Sequence, residues 1–142
     1  MHSVLVPFDG SACAERAIGY LVDFAKVFDG LKVHVINVQA EPKLYGNYVT
    51  ASMLEQLNAG ALDHAAELTA KAATLLQAAG VSVEAHEISG EVVTEVVKAV
   101  KRYGCDTVVM GTRGMGNLGN LVLGSVATRV VHESPVPVLL VK

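Results

Sequence analysis

The stretch DTVVMGTRGMGNLGNLVLGSVATRVVHE, residues 106–133, decides how the rest of the chain is read. It opens on a β-branched apolar run, residues 107–110. It closes on a helical period carried by Val126, Val130 and Val131 and stopped by Ser134-Pro135. Between them lies a glycine-rich segment that reads G-x-x-G-x9-G-S on Gly111, Gly114, Gly124 and Ser125. A connection of that length is uncommon in a compact chain unless it binds something. Glycine lets a ligand approach the backbone without meeting a Cβ. Freed N–H groups beside a helix N-terminus at Gly124-Ser125 form a natural anion cradle. The unit is strand, phosphate-binding loop, helix.

Outward from this unit the same alternation repeats. Apolar runs bounded by turn residues occur at 4–7, 33–38, 81–88 and 136–141. All but the third lack clean polar alternation, which predicts strands covered on both faces. The third, VSVEAHEI, alternates and belongs at or near an edge. Ala14, Ile18, Leu21, Val22 and Ala25 set a first helix with Ser11 as N-cap. Leu54, Leu57, Ala61, Ala65, Leu68, Ala72, Leu75 and Ala79 trace one stripe of a long second helix closed by Gly80, with Gly60 a point of kinking or fraying. Val92, Val93, Val96, Val97 and Val100 set the third. Four strand–helix alternations and a closing strand predict an α/β fold with an open parallel sheet and helices on both faces. Residues 1–142 read as a single domain. Residues 39–52 form a second long irregular segment on the same sheet edge as the glycine loop, either a lid or a plain connection.

Composition bounds the function. The chain is 51% hydrophobic and 18% charged, which excludes intrinsic disorder. No membrane span or signal-peptide core is visible, so a cytoplasmic protein is expected. A net charge of −3, scattered basic residues and the lack of tryptophan exclude an evident nucleic-acid surface. Cys13 and Cys105 stand apart and read as buried reduced thiols.

Ligands settle beyond the carboxyl ends of parallel strands where the winding reverses. Pro7, Phe8, Asp9, Gly10 and Ser11 follow the first strand; Gly111 and its successors follow the fourth. With those strands adjacent, both segments border one crevice. Asp9 is either a turn aspartate satisfying N–H groups or an anchor for a base, ribose or metal-bound phosphate. Ser125 is a helix cap, with or without a hydroxyl contact to phosphate. Arg113 is either solvated or a mobile phosphate partner. Residues 114–119 match G-x-G-x-x-G formally, but they begin several residues after their strand and no second half-domain follows, so NAD binding is rejected. Neither a G-x-x-x-x-G-K-[ST] loop nor a G-x-S-x-G elbow is present. His2, His34, His64, His86 and His132 are dispersed in sequence and read as surface or partly buried residues. Glu84, Glu87 and Glu91 read as a solvated rim and a charge at a helix N-terminus.

Three segments carry a resemblance: VLVPFDGS at 4–11, the G-x-x-G-x9-G-S motif, and SPVPVLLV at 134–141. Together they resemble the universal stress protein family over the whole chain, and the glycine motif resembles its ATP-binding branch. The resemblance implies a Rossmann-like five-stranded sheet of order 3-2-1-4-5, of the adenine nucleotide alpha hydrolase-like type. It implies that Pro7, Phe8, Asp9 and Val38 line an adenine and ribose pocket, with Met110 and Gly111 on the ribose side. Gly114, Gly124 and Ser125 would hold phosphates, with Mg²⁺ bridging phosphate oxygens and no side-chain metal ligand. Arg113, Gly116 and Gly119 depart from the commonest pattern, and the two glycines predict a more mobile loop. The family also implies homodimers paired through the last strand, Val136 to Val141. That strand is apolar on both faces, an association hazard at a sheet edge, and Pro137 removes only one donor.

The expected function is therefore a cytoplasmic, ATP-binding regulatory module of the stress response, without catalytic residues. Slow ATP hydrolysis or nucleotidyl transfer is the enzymatic alternative; a nucleotide-free dimeric interaction module is the other. AMP and cyclic AMP compete with ATP for the same pocket.

Overall fold

β-branched runs too short for helices pair side by side at the centre of the molecule, in a computed structural model that describes residues 1–41, 50–114 and 123–142. They form β1 (Ser3–Pro7), β2 (Lys32–Gln39), β3 (Ser82–Ser89), β4 (Thr107–Gly111) and β5 (Val138–Val141). All pairings are parallel and the order is β3-β2-β1-β4-β5. The helices are α1 (Ala12–Ala25), α2 (Ala51–Ala78), α3 (Val92–Tyr103) and α4 (Ser125–Glu133).

Alternate residues of the inner strands feed two cores. Val4, Val6, Val33 and Val35 pack with Ile18 and Leu21 of α1 and with Leu76 of α2. Leu5, Ile36, Val108 and Met110 pack on the other face with Val93 and Val96 of α3 and Val130 of α4. Coverage on both faces is why these strands show no polar alternation. β3 has one strand neighbour and lies at the edge, as its sequence predicts. The winding reverses between β1 and β4, which opens a crevice at their carboxyl ends.

Three details depart from the sequence reading. β5 begins at Val138 rather than Val136, because Pro137 has no N–H and contributes only its carbonyl, which accepts from Val108 N at 2.9 Å. The buried face of α2 is Ala65, Thr69, Ala72 and Leu76, while Leu54, Leu57 and Leu75 are exposed. Thr69 belongs to that face because its hydroxyl donates to the Glu87 carboxylate of β3 at 2.7 Å, with Ala66 O the more distant alternative acceptor at 3.2 Å. Ala65 and Ala72 of the expected stripe are buried and Leu68 and Ala79 pack against the core, with Thr69 and Leu76 added beside them. At Gly60 the helix is unbroken. Most of residues 39–52, together with Gly116 and Gly119, lie outside the described residues.

Candidate functional site

The chain leaving β1 is fixed from beneath. Phe8 N donates to Ile36 O at 2.8 Å, and the buried Asn37 amide donates from Nδ2 to Phe8 O at 2.7 Å. Asp9 then turns the chain: its Oδ1 accepts from Ser11 N at 2.9 Å, and Ser11 Oγ accepts from Ala14 N at 3.2 Å to cap α1. Asp9 is exposed, with Oδ2 directed at the opposite wall.

That wall begins where β4 ends. Thr112 N donates to Val141 O at 3.0 Å, and Gly124 N donates to Thr112 O at 2.7 Å, so the start of α4 returns beside residues 112–114. Two glycines permit the approach. A Cβ on Gly111 would stand 2.6 Å from Cys13 Cβ, and one on Gly114 would stand 2.9 Å from Asp9 Oδ2.

The result is a cleft of ≈ 380 Å³, within the range of small-molecule sites. Pro7, Phe8, Asp9 and Val38 line one side; Met110, Gly111, Arg113, Gly114, Gly124 and Ser125 line the other. All ten residues singled out from the sequence therefore border one space. Apolar Ile36 and Val92 extend its walls. Among the described residues, Asp9 is the carboxylate and Arg113 the cation on the lining, and no histidine or lysine joins them.

One role changes. Gly124, not Ser125, is the N-cap of α4; Ser125 is its first helical residue, and among the described residues no side chain caps the helix. In α1, α2 and α3 the side chains of Ser11, Thr50 and Glu91 accept from a first-turn amide. Among the described residues the first-turn amides of α4 have no such partner, and this is the helix whose N-terminus borders the cleft.

Sequence reasoning missed Asn37. Its signal was a polar residue in an apolar run, VHVINV, on a strand with no solvent face. Beside the cleft, Glu91 caps α3 and accepts from Arg129 Nη1 of α4 at 2.7 Å. Hydrogen bonds from the Thr94 hydroxyl and amide, then from Arg129, bring its pKa down to about 2. The carboxylate stays charged and ties the two helices together.

Comparison with known proteins decides the lineage. The universal stress protein family model matches residues 1–142. The chain belongs to the universal stress protein family. A universal stress protein of Thermus aquaticus is 33% identical over 99% of this chain and 98% of its own. The solved structure of MJ0577 from Methanocaldococcus jannaschii, a protein whose biochemical function was assigned from its structure, superposes with a TM-score of 0.86 at 28% identity, covering 99% of this chain and 95% of that one. Two further structures share the fold at a TM-score of 0.72. An Arabidopsis thaliana member with AMP bound is 19% identical and covers 100% of this chain and 92% of its own. A member in complex with cAMP is 22% identical, with coverages of 99% and 97%.

Proposed function

We propose that this universal stress protein binds ATP with Mg²⁺ in the cleft between β1 and β4 and works as a nucleotide-dependent regulatory module. One observation carries the reading: the uncapped N-terminus of α4 and the Cβ-free backbone of Gly114 converge on a cleft whose inner walls are apolar. Amides at a helix N-terminus favour anions, and an apolar slot favours a planar base. Relatives of the same fold hold AMP and cAMP, which supports an adenine nucleotide.

In this reading Pro7, Phe8 and Val38 flank the base, and Met110 and Gly111 the ribose. Gly114, Gly124 and Ser125 take the phosphates through backbone N–H groups, with Arg113 beside them. Asp9 suits a ribose hydroxyl or the neighbourhood of Mg²⁺, an ion often held by one carboxylate together with phosphate oxygens. The ion would neutralise phosphate charge next to that carboxylate. The lining lacks a histidine or lysine among the described residues, which favours binding over turnover. Pairing of two copies along the free edge of β5 and a cytoplasmic location complete the proposal. The topology leaves one side of β5 without a strand neighbour, and among the described residues no helix is long and apolar enough to cross a membrane.

Calorimetry with ATP and Mg²⁺ tests it, with AMP and cAMP as competitors. Binding of one nucleotide per chain at micromolar Kd, about −8 kcal/mol, is expected. No heat with any of the three at millimolar concentration would leave the nucleotide-free interaction module as the correct reading. Phosphate release on the order of 1 s⁻¹ would make it an enzyme.

A further inference from the structure

Away from the cleft, the register of β2 on β3 assembles a cluster that spacing along the chain conceals. His34 pairs with Glu84 and Ile36 with His86, so His34, Glu84 and His86 meet on the α3 side of the sheet. His34 Nδ1 lies 3.1 Å from His86 Nε2. Glu84 Oε2 lies 3.7 Å from the first and 3.9 Å from the second. We infer that these three side chains form a binding site for a divalent transition-metal ion, Zn²⁺ by its donor set, with the remaining coordination position open to solvent.

Geometry argues first. Donors about 2.1 Å from one ion stand about 3.0–3.4 Å from each other. The two imidazole nitrogens already do. The carboxylate must close by a few tenths of an ångström, which the half-exposed Glu84 side chain can do while keeping its contact with the equally exposed Lys32. Two imidazoles and one carboxylate form a known protein ligand set for zinc with an open position, and the mixed N and O donors disfavour Mg²⁺ and Ca²⁺.

Rigidity argues second. The Tyr103 ring stacks on both imidazoles, with centroids 4.9 Å and 4.0 Å away and planes within 8° and 11°. Both rings are therefore held before any ion arrives.

The hydrogen bonding argues third. His34 is buried, and Nδ1 is its one bonded nitrogen; Nε2 has no partner among the described residues, with or without an ion, so only Nδ1 bears on the site. The single His34–His86 contact does not satisfy the pair, and Glu84 is too far to bond either ring. With Nδ1 on the ion, His34 would carry its proton on Nε2 and His86 on its own Nδ1, so binding needs no net proton loss from neutral rings. The charged neighbours are Lys32 and Arg102, which oppose a cation, and Glu84 and Glu87, which favour one. Lys32 Nζ engages Glu84 through Oε1 at 2.8 Å, leaving Oε2 for the ion. None of the three ligands lines the nucleotide cleft, so the two readings stand or fall separately.

The test uses the full chain, stripped with EDTA, desalted and free of nucleotide, at pH 7.5. ZnCl₂ is titrated by calorimetry and CoCl₂ by visible absorbance. One equivalent should bind, and Co²⁺ should develop the intensified visible bands of a low-coordinate nitrogen–oxygen site. Glu84→Gln and His86→Ala, with folding checked by far-UV circular dichroism, should each weaken Zn²⁺ binding at least about tenfold. His64→Ala, an exposed control on α2, should not change it. Absence of stoichiometric binding, or equal affinity in the folded Glu84→Gln and His86→Ala variants, would overturn the assignment. So would loss of binding in His64→Ala alone.

Discussion

Gly111 and Gly114 sit where two chain segments pass within bond-contact distance, and they do so for different ends. At Gly111 the obstacle is α1 itself: an added methyl would meet Cys13 Cβ at 2.6 Å and Cys13 backbone carbon at 2.8 Å. Gly111→Ala should therefore destabilise the fold by about 1–3 kcal/mol, seen as a lower urea midpoint with an unchanged slope. At Gly114 the obstacle is the Asp9 carboxylate, an exposed side chain that can give way. Gly114→Val should keep wild-type stability and lose ATP affinity by at least about tenfold in calorimetry. Unchanged affinity would remove the backbone cradle from the account. Both glycines were legible because the motif that singles them out is local in sequence. Asn37 was obscured, since its partner Phe8 O lies just past the end of a neighbouring strand and only the register brings them together. His34 and His86 were hidden for the same reason, fifty-two positions apart and 3.1 Å distant.

At the scale of elements, strand positions followed from β-branched runs, and the ends failed where a single residue ruled. Pro137 delays β5 by withholding its donor, and Gly124 takes the cap position assigned to Ser125. The face of α2 was read in part: Ala65 and Ala72 are buried as expected, but Leu76 and Thr69, the latter held by a hydrogen bond that hydropathy does not count, complete it. Leu76→Ala should thus cost about 2–5 kcal/mol, whereas Leu75→Ala, 48% exposed, should stay within about 0.5 kcal/mol of wild type. Denaturation of the two variants side by side checks the orientation; the reverse ranking would refute it. The α3–α4 clamp has a pH signature. The Glu91 pKa is depressed in the folded state, so its contribution is present above the ordinary value of 4.5 and fades as pH falls towards about 2. In acid titrations the stability gap between wild type and Glu91→Gln should close across that window. A gap independent of pH would mean the charge is not what couples the helices.

For the whole molecule, sheet order and winding place the ends of β1 and β4 side by side, and that adjacency creates the cleft. Periodicity alone gave the alternation of strands and helices; the order came from the resemblance to a family to which the chain belongs. The open edge of β5 predicts association: sedimentation at micromolar concentration should give twice the 14.9 kDa chain mass. A constant mass of one chain would assign another role to that edge. The nucleotide proposal itself is tested most directly by a crystal structure grown with excess Mg²⁺ and ATP. Adenine is expected between Pro7–Phe8 and Val38, with phosphates over the amides of Gly114, Gly124 and Ser125. A cleft holding only solvent, or a nucleotide bound elsewhere on the molecule, would contradict it.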